Sequence, residues 1–244
     1  MCLCVLVVFR IYLGMCGRKT LTKGKMEIIE ELSIQIWDDS FDHQPNYNVA
    51  PTQTLPILLY DRWRIVKPMR WGLIPGWAKD PGNLPIFINA RSETLSEKRS
   101  FSNLLAANRC VVITDGYYEW RKTVPGKQPY YITKPDRSIM PMAGLWSQAT
   151  DSQGNTVFTY TVITSAANDQ LEFIHPRMPV VLNGEELDAW MDCKSNNFDQ
   201  VQSILKPYRE ELLAYPVSKY VNSVRNNSLR CIEKDISTSQ TLFS

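Results

Sequence analysis

Short runs of β-branched and aromatic residues recur along the chain, and proline, glycine or aspartate lies at many of their boundaries. They cover residues 55–60, 63–66, 86–89, 110–114, 117–121, 130–133 and 157–163. This composition is typical of β-strands. Pro125 and Gly126 lie between the fifth and sixth runs and predict a hairpin turn that joins two of the strands.

Helical patterns are fewer than strand patterns. They are residues 26–32, the amphipathic set Phe101, Leu104 and Leu105, and residues 201–205. Asn183, with Glu186 three residues later, resembles a capping box and predicts a helix that includes residues 187–191. Strands outnumber helices and do not alternate with them. This predicts an α+β fold, one domain with a curved, barrel-like, mostly antiparallel β-sheet core and a few flanking helices.

The two ends of the chain differ from the rest. The apolar run near the start, broken by Arg10, is too short to cross a bilayer. No positive charge precedes it and no small-residue cleavage site follows it, which argues against a secretory signal. We expect residues 1–15 to be removed or Met15 to be the true start, and a membrane anchor is the alternative. The domain is then 16–233, followed by a polar, disordered tail at 234–244.

Charge and cysteine content narrow the functional classes. With 27 Lys and Arg against 25 Asp and Glu, the net charge is +2, so the protein is not broadly polybasic. Nucleic-acid contacts would therefore depend on a few well-placed arginines. The six cysteines are scattered and there are only two histidines, which predicts no zinc site, no other metal and no cofactor.

The sequence also gives expectations for the cellular compartment and the oligomeric state. No disulfide framework is evident, which fits a reducing compartment. We expect a cytoplasmic, nucleoid-associated location, or a nuclear one in a eukaryote, with no membrane partner. No coiled-coil pattern is present, and a monomer is expected.

Five segments place reactive or cationic groups among rigid and aromatic residues. They are Met15-Cys16-Gly17-Arg18, residues 48–53 (NVAPTQ), residues 69–77 (MRWGLIPGW), residues 89–94 (NARSET), and residues 115–120 (DGYYEW) together with residues 175–179 (HPRMP). In this order they resemble the SOS-response-associated peptidase (SRAP) family, the abasic-site processing proteins. The resemblance runs from Met15 to about Ile232.

Cys16 is the centre of the implied chemistry. Once N-terminal, it carries an α-amine and a thiol on adjacent carbons, and the amine has a pKa of roughly 7.7–8.0. The amine can condense with an aldehyde, and the thiol can then close a thiazolidine ring. The ring-opened deoxyribose of an abasic site presents such an aldehyde. A buried or surface thiol without function is the alternative for Cys16.

The resemblance implies three residues that assist Cys16. Glu119, between two aromatic residues, would transfer protons, because desolvation suits a carboxyl to general acid/base work. His175 would assist opening of the sugar ring, and Asn89 would orient the amine or a sugar hydroxyl. The alternatives are a solvated glutamate, a structural histidine and a turn asparagine.

The resemblance also implies contacts with single-stranded DNA that contains abasic sites. Arg18, Arg91 and Arg177 would bind phosphates, or else form surface salt bridges. Trp71 or Trp77 would stack on bases or wedge bent DNA, or else belong to the core. The sixth predicted DNA-binding residue is Pro51, which would shape the cysteine pocket.

Three functional hypotheses follow from these residues. The first is covalent capture of an abasic site by Cys16, with lyase activity through the imine. The second is a thiol peptidase that uses Cys16 and His175, acting on its own leader or in trans. The third is a non-covalent single-strand-binding module. Two departures from the family bear on the choice: Lys19 stands where an aromatic is usual, and fifteen residues precede Cys16.

Overall fold

The computed structural model describes residues 17–78, 86–150 and 154–236. The strands are β1 Arg18–Leu21, β2 Ile36–Trp37, β3 Asn46–Val49, β4 Thr54–Asp61, β5 Trp63–Trp71, β6 Asn89–Arg91, β7 Arg109–Val112, β8 Gly116–Thr123, β9 Gly126–Thr133, β10 Met142–Thr150, β11 Thr156–Ala166, β12 Arg177–Pro179 and β13 Leu213–Pro216. The α-helices are α1 Lys25–Glu31, α2 Arg99–Ser102, α3 Gly184–Met191 and α4 Phe198–Val201. None of the helices within these ranges is long and apolar enough to cross a membrane.

Five strands close into a barrel. The hydrogen-bonded order β11-β10-β7-β4-β5 returns to β11 through a parallel pairing, in which Tyr160 lies opposite Trp71. The other four contacts around the ring are antiparallel. β2, β6 and β12 extend this sheet beyond the ring. The predicted α+β fold with a barrel-like, mostly antiparallel core is confirmed.

A second, antiparallel sheet packs against the barrel in the order β13-β9-β8-β1-β3. Successive side chains of a strand point to opposite faces. In β8, Tyr117 accordingly belongs to the main core, whereas Tyr118 belongs to a second apolar cluster on the other face. The C-terminal segment, residues 218–232, covers that second face with Val221 and Cys231, which are both fully buried. The second sheet therefore lies between the barrel and the C-terminal segment.

Most of the predicted elements are present with adjusted bounds. The hairpin is confirmed, since Thr123 pairs with Gly126 across a two-residue turn. The capping box is also confirmed, because Asn183 Oδ1 accepts from the Glu186 N–H at 3.1 Å and the Glu186 carboxylate accepts from the Asn183 N–H at 3.2 Å. The strand predicted at residues 86–89 lies further along the chain, since β6 begins at Asn89. Before it, Phe87 forms an isolated bridge with Leu73.

Two helical predictions need correction. The helix α2 has only four residues and ends at Ser102. Leu104 and Leu105 therefore reach the core from the turns that follow the helix. The predicted helix at 201–205 is divided between the last residue of α4 and a 3-10 turn at Gln202–Ile204.

The predicted tail keeps contact with the domain at its start. Lys234 forms an isolated bridge with Val217, and the Asp235 N–H donates to the Pro216 carbonyl at 2.8 Å. Residues 237–244 and the predicted leader, 1–15, lie outside the described residues.

Candidate functional site

Glu119 lies in the second sheet, on the face that packs toward the barrel. It is only 6% exposed and pairs across the hairpin with Tyr130. Its predecessor, Tyr118, pairs with Arg18 at the start of β1. The same antiparallel register, continued by one residue, sets Gly17 opposite Glu119. Cys16 itself lies outside the described residues.

The end of β11 brings together three other predicted residues. β6 runs parallel to β11 on one side and sets Asn89 opposite Val162 and Arg91 opposite Thr164. β12 runs antiparallel on the other side, starting at Arg177. The two short strands therefore converge on one end of β11, although they are far apart in sequence.

His175 precedes β12 and joins this group. Its Nδ1 lies 3.2 Å from the backbone N of Arg177 and 3.3 Å from the Arg177 carbonyl oxygen, so Nδ1 accepts a hydrogen bond in one tautomer and donates one in the other, which leaves Nε2 free to accept a proton. Burial lowers the pKa of His175, and the positive charges of Arg177, Lys122 and Lys127 act in the same direction. The imidazole is therefore neutral near pH 7 and able to accept a proton.

The β8–β9 hairpin connects His175 with Glu119. Phe173 packs edge-on against Tyr130, the partner of Glu119, with ring centroids 5.8 Å apart. The Arg121 guanidinium lies 5.3 Å from the centroid of the same phenylalanine ring. The segment that carries His175 therefore rests on the strand pair that carries Glu119.

Two of the predicted phosphate-binding arginines are bound to protein groups. Arg177 forms a bidentate pair with Glu93, at 2.5 and 2.9 Å, and also donates to the Thr164 carbonyl at 2.7 Å. Arg18 donates to Asn48 and to backbone carbonyls of the C-terminal segment. These contacts match the salt-bridge or structural alternative. Arg91, by contrast, is exposed.

The two tryptophans differ in environment. Trp71 is fully buried, and its indole N–H donates to the Ile88 carbonyl at 2.9 Å. Its predicted contact with bases is therefore corrected, since a ring enclosed by the core presents no face to DNA. Trp77 is 45% exposed, with the Arg99 guanidinium 5.4 Å from a ring centroid. Only Trp77 of the pair retains the geometry for stacking.

Pro51 lies in a tight turn beside the buried Trp71. The next residue, Thr52, has a φ of 74° and its N–H donates to the Trp71 carbonyl at 2.8 Å. Gln53 accepts from the Trp71 N–H at 2.9 Å. The turn is thus fixed to the barrel strand β5, and Pro51 is a rigid surface element.

Lys19 was not predicted as a site residue and has an unusual environment. It is 1% exposed, and its ammonium donates to the Tyr160 hydroxyl at 2.7 Å. The same nitrogen lies 3.9 Å from the Trp71 ring centroid and 4.5 Å from that of Tyr160. Its position directly after the Met-Cys-Gly-Arg segment was the signal that could have found it.

Among residues 17–78, 86–150 and 154–236, no three His, Cys, Asp or Glu side chains lie close enough together to hold a metal ion. A cavity of about 370 Å³ is lined by Met69, Trp146 and Phe158 among others, and none of the predicted site residues contributes to it.

Comparisons with known proteins agree with this architecture. The family described as SOS response associated peptidase (SRAP) matches residues 15–224. Abasic site processing protein YoqW of Bacillus subtilis (strain 168) is 41% identical over 223 residues, covering 90% of this chain and 99% of that protein. Abasic site processing protein HMCES of Gallus gallus is 31% identical over 260 residues, covering 89% of this chain and 77% of that protein.

A solved structure extends the agreement to the fold. A protein from Bacteroides thetaiotaomicron superposes with a TM-score of 0.78 at 26% identity, covering 91% of this chain and 100% of that one. The sequence match covers all five segments that carried the resemblance. The chain belongs to the SOS response associated peptidase family.

Proposed function

We propose that this protein captures abasic sites in single-stranded DNA through Cys16, once Cys16 is the N-terminal residue. The observation that carries the proposal is the buried Glu119 beside the start of β1, where the chain enters from Cys16. Relatives named abasic site processing proteins match nearly the whole chain, which supports abasic DNA as the substrate.

The reaction consists of two additions to the sugar aldehyde. The neutral α-amine adds to the aldehyde carbon, and the resulting carbinolamine loses one water to give an imine. Glu119, in its protonated form, would donate a proton to the departing hydroxyl and recover one later. The thiol of the same cysteine then adds across the C=N bond, and its proton passes to the nitrogen. The product is a thiazolidine that links protein and DNA.

His175 would act on the sugar, and Asn89 would contact either the sugar or the α-amine of Cys16. In the tautomer whose Nδ1–H donates to the Arg177 carbonyl, Nε2 can take the proton of the C1′ hydroxyl of the closed ring, while an acid protonates the ring oxygen as the ring opens. Asn89 lies on the adjacent strand β6, at the end of β11. Its amide would hold a sugar hydroxyl or the amine in place. Elimination of the 3′ phosphate through the imine would give the lyase activity.

The DNA strand would lie along Arg91 and Trp77, which the structure leaves exposed. Pro51 would border the pocket from its rigid turn. Arg177 would bind a phosphate only by exchanging its bond to Glu93, whose pKa is held below its usual range by the hydrogen bonds from Arg177. We therefore rank Arg91 above Arg177 as a phosphate contact.

A thiol peptidase is the second candidate, and the family description favours it. It would act on the peptide bond that precedes Cys16, which would free the α-amine. Self-removal of the leader is thus compatible with covalent capture. Activity on other proteins would require no free amine, so acetylating the α-amine separates the two functions.

The first experiment is a denaturing gel with single-stranded DNA that carries one abasic site. Protein whose intact mass starts at Cys16 should form a gel-shifted adduct, and Cys16→Ala should form none. Cys193→Ala is the matched control, because Cys193 is partly exposed and belongs to none of the five segments. An adduct that survives Cys16→Ala, or none from protein that starts at Cys16, would refute covalent capture. DNA binding without any adduct would favour the non-covalent module.

A further inference from the structure

We infer that Arg18 and Asn48 form an anchor through which the C-terminal segment, residues 218–232, fixes the start of β1 against β8 and thereby sets the rate at which the reactive N-terminal residue forms its adduct. This assigns Arg18 a positioning role in place of a phosphate contact. The inference rests on the proposed function, because it concerns the rate at which Cys16 reacts. We refer to the two residues as the Arg18–Asn48 anchor.

The guanidinium of Arg18 has three acceptors that span two parts of the chain. Nη1 donates to Asn48 Oδ1 at 2.7 Å and to the Val221 carbonyl at 2.9 Å. Nη2 donates to the Asn222 carbonyl at 3.1 Å. A planar fork of this kind fixes the direction of the side chain, and a lysine could not reproduce it.

Asn48 completes the anchor from the neighbouring strand β3. Its side chain is 1% exposed, and Nδ2 lies within hydrogen-bond distance of the carbonyls of Val221, Ser223 and Asn226, at 3.1, 2.9 and 2.8 Å. A buried amide with this many acceptors holds the C-terminal segment firmly against the sheet, since each lost bond would leave a buried polar group without its partner.

Further bonds keep the same segment rigid. The Trp120 indole N–H donates to Asn222 Oδ1 at 2.9 Å, and the backbone N–H of Tyr47 donates to Asn227 Oδ1 at 2.8 Å. Below them, Val221 is fully buried in the second apolar cluster. The segment therefore acts as a fixed support for the start of β1.

The alternation of side chains explains how this support affects the opposite face. Arg18 and its partner Tyr118 lie on the face covered by the C-terminal segment, and Glu119 lies on the other face. The anchor therefore holds the β1 backbone against β8 where the register sets Gly17 opposite Glu119. Gly17 is the residue that follows Cys16 in the sequence.

Positioning matters for this reaction because the amine must meet the aldehyde in a narrow range of geometries. A misplacement of about 1 Å can lower a rate roughly 100-fold. We expect DNA binding to depend less on residue 18, since Nη1 and Nη2 of its guanidinium both donate to protein acceptors. Loosening the anchor should slow cross-linking at saturating DNA without changing the DNA concentration that gives half-saturation.

The test uses full-length protein processed to start at Cys16, with Arg18→Lys, Asn48→Ala and the control Arg225→Lys. Arg225 is exposed and lies in the same C-terminal segment. Single-turnover cross-linking is measured over a range of DNA concentrations. Binding is measured separately by fluorescence anisotropy with DNA carrying a tetrahydrofuran analogue, which cannot open to an aldehyde. We expect the maximal rate constant to fall about 10-fold or more in both anchor variants, with affinity changed by less than about two-fold.

Asn222→Ala serves as a milder second variant, because it removes only the bond from the Trp120 indole and leaves the carbonyl that accepts from Arg18. It should lower the maximal rate constant while binding is retained. Unchanged rate constants in the variants would overturn the inference, and so would a parallel loss of binding and rate in Arg18→Lys and Asn222→Ala. If wild-type protein forms no adduct, the proposed function fails instead.

Discussion

At the scale of single residues, Lys19 shows how one buried cation is accommodated where the family usually has an aromatic side chain. Its ammonium lies over the rings of Trp71 and Tyr160, and it donates a hydrogen bond to the tyrosine hydroxyl. Burial raises the pKa of Tyr160, so that hydroxyl stays protonated and accepts through a lone pair. The cation–π contacts offset part of the desolvation of the charge.

This arrangement predicts strong coupling between Lys19 and Tyr160. Lys19→Met leaves a buried hydroxyl without that partner and should lower the free energy of unfolding by about 1–3 kcal/mol. Tyr160→Phe removes the acceptor from the ammonium and should also destabilise. In the double variant both polar groups are gone, so its cost should be smaller than the sum of the single costs. Urea unfolding of the four proteins measures this difference, and additive costs would contradict the coupling.

At the scale of elements, the β8–β9 hairpin places two exposed lysines near the candidate site. Burial lowers the pKa of His175, and the charges of Lys122 and Lys127 add to this effect, which is consistent with both ammonium groups lying within electrostatic range of the imidazole. Sequence reasoning did not identify them, because lysines near a hairpin turn are common on protein surfaces. We expect their ammonium groups to attract a phosphate beside the sugar.

We expect the double variant Lys122→Gln, Lys127→Gln to weaken binding to single-stranded DNA and to make its salt dependence shallower. Each lost phosphate contact should reduce the slope of log K against log salt by about 0.7. Titrations at several salt concentrations measure the slope. Lys194→Gln is the control, since Lys194 pairs with Asp61 and lies outside this hairpin. An unchanged slope in the double variant would remove both lysines from the DNA contacts.

The elements also show what a sequence can predict. The strand β11 was found because β-branched and aromatic residues form a continuous run, and β4 because residues 57–60 (ILLY) form an apolar run. The strand β10 was not predicted, because residues such as Met142, Gly144 and Gln148 lower its content of β-branched and aromatic residues. Likewise, no local pattern distinguishes the buried Trp71 from the exposed Trp77. Their environments depend on partners far away in the chain.

Arginine roles were hard to predict for the same reason. The fork of Arg177 fits a carboxylate as well as a phosphate. Only the fold shows that Glu93 is its partner across the strands that flank β11. The family resemblance supplied the identity of Glu119, His175 and Asn89. Their spatial relation, through the hairpin and the end of β11, required the structure.

At the scale of the whole molecule, the candidate site lies at the junction of a closed barrel and a second sheet. The barrel contributes the end of β11, and the second sheet contributes Glu119 and the start of β1. Of the two histidines of the sequence, His43 is buried and His175 is partly buried in the folded domain. The free energy of unfolding should therefore decrease in mild acid.

Burial lowers the pKa of both His43 and His175 from the ordinary value of 6.5. A lowered folded-state pKa means that the unfolded chain binds protons first as the pH falls. The two histidines therefore make their full contribution to the free energy of unfolding above about pH 6.5. This contribution is lost as the pH falls through 6.5 toward their folded-state pKa values. We expect the melting temperature to fall between about pH 7 and 5, by about 2–4 °C for each 1 kcal/mol lost.

The variant His43→Gln, His175→Gln should have a flatter profile of melting temperature over the same range, because glutamine does not titrate. The single variants separate the two contributions. Carboxylates whose pKa is held below its usual range, such as Asp38, Asp61 and Glu93, lose their contribution only at lower pH. A decline in the double variant as steep as in the wild type would show that other groups cause the acid sensitivity. Retained cross-linking by His43→Gln but not by His175→Gln would then assign His175 to the reaction, because His43 contacts the Lys23 carbonyl rather than the hairpin.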